Sequence, residues 1–401
     1  MAPADELSAV GGQALRPATM RGREGFYRVG QDTAGRWWLV DPSGSPFFFR
    51  GVHGVRTAGD PPDSAFTRDS AARLRAWGFN AVGVGRDSAG RDDGLPFLAS
   101  VDFVRTGPQL IAPGLRLPDM FDPEWLQLAS ARAHEVCTPL AGNPALVGWV
   151  TDDTVEWASP PAAGRPSLLQ ICLSLEPSFA AYHAAWEFVL ASHGGRLEAV
   201  ARAWAAALPN KEVVRELTRS DVGLATRGYH RDDLRWTREC ARRYFAATST
   251  ALRAADANHL VFGCRFSGKV AAQVLAECTY PAVDVALPHW LELPPADAIA
   301  TQPVLANDVA WVEDERSRPG ARVRTPRLTT FERMLRRSRT TIDRMARHPA
   351  VVGYAWSQWE DAAGEQPPFA RGLVHVNGSE AREHTEVLTA FNARAEELHR
   401  G

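Results

Sequence analysis

The acids in the stretch GWVTDDTVEW, from Gly148 to Trp157, stand where an apolar run breaks off. Ala145, Leu146, Val147, Trp149 and Val150 read as buried strand, and Asp152, Asp153 and Glu156 follow at once, with Thr154 among them and Trp157 behind. Asp308 ends a second run in the same way, after Val304, Leu305, Ala306 and Asn307. Carboxyl groups at the ends of two buried strands are the material of acid–base chemistry, because the carboxyl ends of parallel strands bring side chains from several elements to one open cavity. The competing reading at each point is a helix cap, where a carboxylate accepts backbone N–H groups and favours the positive end of the helix dipole. For Asp308 the strand-end position favours the functional reading.

Other strand ends supply polar and aromatic side chains that suit a small-molecule pocket. His53 and Arg56 follow the first strand, Arg265 ends the fifth, His289 and Trp290 the sixth, Trp311 follows Asp308, and Trp356, Gln358, Glu360 and Asp361 close the eighth. Aromatic faces take the apolar face of a sugar ring or another flat ligand, while Arg and Asp fix hydroxyls and acids through charge-assisted bonds. A lone histidine is as a rule a structural hydrogen-bond partner, and core packing competes with ligand stacking for Trp356. HExxH, GxSxG, P-loop and Cys/His metal spacings are all missing, so no cofactor and no metal are expected.

The elements that must position these residues follow from the hydrophobic pattern. Phe26 to Val40 reads as a β-hairpin around Asp32 to Gly35, and Asp41 to Gly44 as a further turn before Phe47, Phe48 and Phe49. Helical spacing from Asp69 to Trp77 ends at Gly78, where a C-cap glycine belongs, and Phe79 to Val84 follows as strand. Further strands are read at Pro96 to Val104, Ala145 to Asp152, Leu260 to Phe266, Val283 to Leu287, Pro303 to Val309 and Val351 to Trp356, with helices at Pro123 to Cys137 and Leu234 to Ala255. Eight short buried strands separated by helices predict an α/β fold of the (β/α)8 TIM-barrel class, with an N-terminal β-hairpin and a helical insertion after the fourth strand at about 159–219. Residues 1–24 read as a flexible arm and 25–401 as one domain. A doubly wound sheet would need a glycine-rich phosphate turn, for which Gly83 and Gly85 are too sparse.

Bulk properties narrow the partners. A formal net charge of -2 gives no broad attraction for nucleic acid or an anionic membrane, so neither is expected as a partner. Cys137, Cys172, Cys240, Cys264 and Cys278 form an odd set without metal spacing and read as buried free thiols. The first twenty residues hold Asp5 and Glu6 and no continuous apolar core, so a cytoplasmic protein is expected; oligomeric state is left open.

Taken together, GRWWLVDPSGSPFFFRGVHGV (Gly35 to Val55), LRAWGFNAVGV (Leu74 to Val84), NPALVGWVTDDTVEW (Asn143 to Trp157), ADANHLVFGCRF (Ala255 to Phe266) and VVGYAWSQWEDAAGE (Val351 to Glu365) resemble, in order and spacing, the agarase-like glycoside hydrolases of the large retaining TIM-barrel clan. The resemblance implies a fourth strand ending in Asp-Asn-Glu, whose Glu protonates the leaving oxygen, and a seventh ending in a nucleophilic Glu. Here those positions are Asp152, Asp153, Thr154 and Asp308, so the acid/base glutamate is replaced by threonine and the nucleophile is one methylene shorter. Threonine supplies no proton at neutral pH, and strand parity favours Glu156 over Asp153 as its replacement, since neighbouring side chains point to opposite faces. The shortened Asp308 favours a water-mediated or purely electrostatic role over covalent retention. Three functions follow: a glycoside-hydrolase-like enzyme acting on a sugar or glycoside-like small molecule through Asp308 with Glu156 or Asp153; a hydrolase scaffold repurposed for dehydration or cyclisation in secondary metabolism; and a carbohydrate-binding pseudoenzyme.

Overall fold

Strands buried on both faces, as Leu146–Val150 and Val351–Trp356 are throughout, belong inside a parallel sheet covered by helices. The computed structural model describes residues 15–55, 65–85, 94–153, 155–157, 166–219, 226–266, 270–293, 302–311, 330–361 and 371–401. Its strands are β1 (Arg28–Gln31), β2 (Trp37–Val40), β3 (Pro46–Phe47), β4 (Phe49–Val52), β5 (Ala81–Val82), β6 (Phe97–Ser100), β7 (Gln109–Ala112), β8 (Leu115–Pro118), β9 (Leu146–Val150), β10 (Glu156–Trp157), β11 (Leu260–Val261), β12 (Val304–Val309), β13 (Val351–Trp356), β14 (Gln358–Glu360) and β15 (Gly372–Val374). Seven of them form a curled parallel sheet in the order β11-β9-β6-β5-β4-β13-β12. Beyond this sheet, single parallel bridges join Arg265 to Leu287 and Ala286 to Val304 across the stretch expected as the sixth strand. Gly353 permits the close pairing of β13 with β4: at φ 150° a Cβ would lie 2.3 Å from the Phe49 carbonyl oxygen.

The N-terminal hairpin is β1 and β2, extended by β3 into an antiparallel sheet. The triple phenylalanine is therefore split, Phe47 pairing with Leu39 in this small sheet and Phe49 with Gly353 in the large one. Residues 1–14 lie outside the described residues, but the arm is anchored from Leu15 onward. Leu15 bridges Asp32, Arg21 bridges Val29, and the Arg21 guanidinium lies 4.7 Å from the Trp37 ring and 4.4 Å from the Tyr280 ring. Cation–π contact holds this segment down.

Two helices carry clear start signals. Asp122 caps Pro123–Cys137 by accepting from the Glu124 N–H at 2.8 Å, with Pro at the first helical position. Arg227–Ala255 begins seven residues before the sequence reading, because Thr226 caps it through the Tyr229 N–H. Among the described residues the insertion contains four helices, of which Leu168–Ser174, Ala180–Ser192 and Leu197–Trp204 pack on Arg227–Ala255 and Glu212–Arg219 packs on Leu168–Ser174. Among the described residues no helix is long and apolar enough to cross a membrane. All five cysteines are free and buried.

The stretch ADANHL ties the long helix to the sheet. Asp256 Oδ2 accepts from the Trp149 indole at 2.7 Å and from His259 Nδ1 at 2.6 Å, and Oδ1 accepts the Asn258 N–H at 2.8 Å. Burial raises the Asp256 carboxyl, but the His259, Trp149 and Asn258 bonds outweigh it and hold the group below its ordinary value. A depressed carboxyl contributes stability above its unfolded value that is lost as pH falls through the folded one. Replacing Asp256→Ala strands the indole and imidazole donors, and a loss of about 2–4 kcal/mol is expected. Denaturant unfolding at pH 7 measures it; as pH falls below about 4 the difference between variant and wild type should shrink.

Candidate active site

Arg265 is the centre of the candidate site. Its backbone is fixed first: its N–H donates to the Asp152 carbonyl at 3.0 Å and its own carbonyl accepts the Val155 N–H at 3.1 Å. The side chain then reaches across the carboxyl edge of the sheet. Nη1 donates to Asp153 Oδ1 at 2.5 Å and Nη2 to Asp308 Oδ1 at 3.0 Å, so one guanidinium bridges the acids that follow β9 and sit in β12. Asp308 is held by backbone as well as by charge. It adopts φ 53°, a left-handed conformation that Asp tolerates at some cost, at an irregularity in the pairing of β12 with β13.

The second oxygen of Asp308 is fixed from the opposite side. Asn307 Nδ2 donates to Asp308 Oδ2 at 3.1 Å, and Asn307 Oδ1 lies 2.8 Å from His53 Nε2. The Val84 N–H donates to His53 Nδ1 at 2.9 Å, so the neutral ring carries its proton on Nε2 and donates it to Asn307. His53 is held well below its ordinary value by burial first and by the Arg265 charge second, and stays neutral. Gly83 makes room for it, since a Cβ there would come within 2.5 Å of His53 Nδ1. His289 joins from the next segment through a parallel bridge to Asn307; burial lowers it while the Asp308 charge opposes that shift.

Asp152 faces a different set of partners. It is buried, accepting the Val104 N–H at 2.7 Å on Oδ1 and the Tyr244 hydroxyl on Oδ2, while that hydroxyl lies 2.8 Å from Thr151 Oγ1. Burial pushes its carboxyl up to about 8 against the pull of these bonds. Asp153 is also raised, by burial first, with Arg265 opposing and Asp102 and Asp308 adding to the shift. Asp102, left-handed at φ 62°, accepts the Asp153 N–H at 3.3 Å.

The remaining sequence candidates divide sharply. Glu156 does not share the Arg265 cluster: it is exposed on β10 with Arg116 as its cross-strand partner, while Val155 and Trp157 on either side are buried. The parity expectation fails because the regular strand ends at Val150 and only irregular parallel pairing with 263–266 continues beyond it, so Asp153, expected to face away, meets Arg265 instead. Thr154 and Arg56 lie outside the described residues. Trp356 is fully buried, with its indole donating to the Arg371 carbonyl at 2.8 Å and its ring 4.9 Å from that of Trp311, which in turn donates to His384 Nδ1. This is packing, as is the burial of Trp290. Asp361 is occupied by the Gly372 N–H and His375, both at 2.8 Å, and Gln358 and Glu360 lie on β14 beside β15. Among the described residues no three His, Cys, Asp or Glu side chains gather as a metal site.

Against known proteins, no family model and no curated sequence matches this chain. Solved structures do. An exo-β-agarase superposes with a TM-score of 0.69 at 18% identity, over 96% of this chain and 66% of that one. A second agarase gives 0.69 at 18%, over 94% and 66%, and a β-galactosidase from the psychrophilic Marinomonas ef1 gives 0.53 at 14%, over 88% and 62%. The fold is glycoside-hydrolase-like. The chain spans 66% of the length of these two agarases and less of the galactosidase. Within this hydrolase-like fold the residues that sequence reasoning passed over are Asp102 and Tyr244. Asp102 carried a signal, an acid directly after the apolar run of the third strand; Tyr244, deep in a long amphipathic helix, carried none.

The raised Asp152 gives a pH signature. With its folded value near 8 and an unfolded value of ~3.9, the native state holds a proton that the unfolded chain has released, so this group's contribution falls as pH rises between the two. In Asp152→Asn the Tyr244 hydroxyl can turn to accept from the new amide, and that decline should vanish. Thermal unfolding of both proteins from pH 5 to pH 8 tests it: parallel curves would show that Asp152 does not titrate in this range.

Proposed function

We propose that the chain is an enzyme acting on a sugar or glycoside-like small molecule at the Asp153–Arg265–Asp308 cluster, without a covalent intermediate. The single observation that supports this most is the Arg265 bridge, which brings carboxyls from opposite strand ends onto neighbouring nitrogens of one guanidinium. That geometry keeps the two bonded oxygens no more than roughly 8 Å apart, close enough for both acids to serve one glycosidic bond, and it is the shortened Asp308 that favours a water-mediated course over a covalent one. The hydrolase-like fold, seen also in an exo-β-1,4-mannosidase from Opitutaceae bacterium strain TAV5 at a TM-score of 0.51, is consistent with a carbohydrate ligand. Carbohydrate chemistry must still be argued from the site, since one fold hosts many reactions. A closed (β/α)8 barrel belongs to the same proposal, with 283–287 as its sixth strand, supported by the bridges from Leu287 and Ala286 to the strands on either side.

The two carboxyls take different roles. Asp153 takes the proton-donor place of the glutamate that the resemblance implies at Thr154, its carboxyl raised by burial and by the Asp102 and Asp308 charges, with Arg265 opposing until a ligand displaces it. Asp308, with Arg265 on one oxygen and Asn307 on the other, is the oriented acceptor that stabilises positive charge developing at the anomeric carbon or directs a water to it. A ligand must compete with Arg265 for one or both acids on entering.

Asp308→Asn should lower kcat on activated aryl glycosides by about 100-fold or more while the thermal midpoint changes little. Asp153→Asn should be severe for poor leaving groups and mild for 4-nitrophenol, which needs little protonation. Unchanged turnover in a folded Asp308→Asn protein removes the assignment. A second reading, ligand binding without turnover, is favoured by one feature: Arg265 and Asn307 already occupy both oxygens of Asp308. Saturable sugar binding with no turnover of any aryl glycoside would select it.

A further inference from the structure

Beside Asp153 the molecule holds a cavity of about 290 Å³ whose wall is unusually rich in guanidinium groups. Arg105, Arg116 and Arg132 line it together with Asp102, Asp152 and Asp153. The volume lies close to the lower end of small-molecule sites, ~300 Å³, about what one sugar ring and a substituent require. The cavity shares Asp153 with the Arg265 cluster, so a ligand seated in it lies against the proposed proton donor.

Of the three arginines in this wall, two make no ion pair among the described residues. Arg132 is anchored, its Nε donating to the Val101 carbonyl at 3.1 Å and its Nη1 to the largely exposed Glu135 at 3.0 Å. Arg105 and Arg116 are exposed and make no ion pair among the described residues; Glu156, opposite Arg116 across the strands, does not close one. On the acid side Asp153 is already shared with Arg265, and Asp102 accepts the Asp153 N–H. Asp152, pushed up to about 8 by burial, carries little charge at neutral pH. Arg105 and Arg116 are thus left to offer their guanidinium groups to a ligand beside Asp153. Arginine presents a planar fork that matches a carboxylate, sulfate or phosphate in two-point contact, whereas a neutral hydroxyl uses only one of its donors at a time.

We propose that the Arg105–Arg116–Arg132 cavity binds an anionic substituent of the substrate, a carboxylate, sulfate or phosphate ester on the sugar whose glycosidic oxygen faces Asp153. This rests on the sugar-processing reading of the Asp153–Asp308 cluster and names its substrate class. The arginines hold the anion at one end, and the acid pair meets the scissile bond at the other.

The test is calorimetric titration of the full chain with glucuronate, galacturonate, glucose 6-sulfate and glucose 6-phosphate, with glucose and galactose as neutral counterparts. The same series is repeated on Arg105→Gln/Arg116→Gln, both exposed positions whose replacement should leave the thermal midpoint unchanged. Wild type should bind at least one class of charged sugar about tenfold or more tightly than its neutral counterpart, and the double variant should lose that preference. Which anion binds separates uronate from sulfate and phosphate. Affinity for the charged sugar should also fall with added sodium chloride, as for any ion pair in contact with solvent. Equal binding of charged and neutral sugars, or a charge preference that survives in the double variant, overturns the proposal. Turnover separates it from the reading beneath: 4-nitrophenyl glucuronide and glucoside are compared in wild type and in Asp308→Asn. Glucoside turnover that depends on Asp308 and exceeds that of the glucuronide, with no charged sugar preferred in the titrations, leaves the enzyme reading intact and defeats the anionic substrate class. Charged-sugar binding that is lost in the double variant, with no turnover at all, leaves the anion site intact and defeats the enzyme.

Discussion

Two carboxylates drawn partly out of water at opposite strand ends need a shared cation, and Arg265 supplies it. Burial raises the free energy of each charge, and like charges close together raise it further. A guanidinium between them offsets both effects, because its two terminal nitrogens can serve one acid each. A lysine could neutralise charge here but could not hold two acids at a fixed spacing. The backbone of Arg265 is tied to Asp152 and Val155 on one side and bridges Leu287 on the other, so the strands that carry the site are joined through this residue twice, once by main chain and once by side chain.

Around this ion cluster the orientation is set by neutral groups. The chain from the Val84 N–H through His53 and Asn307 to Asp308 contains no net charge before its last member, yet it fixes which oxygen of Asp308 faces Arg265. Its direction follows from one backbone donor, since acceptance at Nδ1 forces the imidazole proton to Nε2. The left-handed backbone of Asp102 and Asp308 belongs to the same economy of space: each turn re-aims an acid at the point where a strand ends, and such strain persists only where the surroundings over-determine it. Asp152, adjacent in sequence to Asp153, is by contrast committed to Tyr244 and Val104 and serves to lock the loop after β9.

Much of this was legible in the chain. Apolar runs with both faces hydrophobic located most strands of the large sheet, and the acids that ended two of them, with Arg265 at a third, marked the cluster. Glu156 was misread because alternation holds only while a strand continues, and this one ends at Val150. Trp290 and Asp361 were read as pocket residues from their type at a strand end, and Trp356 as either pocket or core; in the structure both tryptophans are buried, and Asp361 is occupied by the Gly372 N–H and His375.

What the sequence determined by itself is local: where apolar periodicity makes strand or helix, where Asp41 to Gly44 turn the chain and Gly78 ends a helix, and which side chains can ionise. Those properties depend on neighbours a few residues apart, whose spacing the chain fixes covalently. Only the tertiary structure decided that Asp153, Arg265 and Asp308 share one cluster, that His53 is neutral, and that Arg105, Arg116 and Arg132 face one cavity. Contact and ionisation depend on distance and desolvation in space, and residues 153 and 308 come within reach of one guanidinium only when the curled sheet brings their strand ends together.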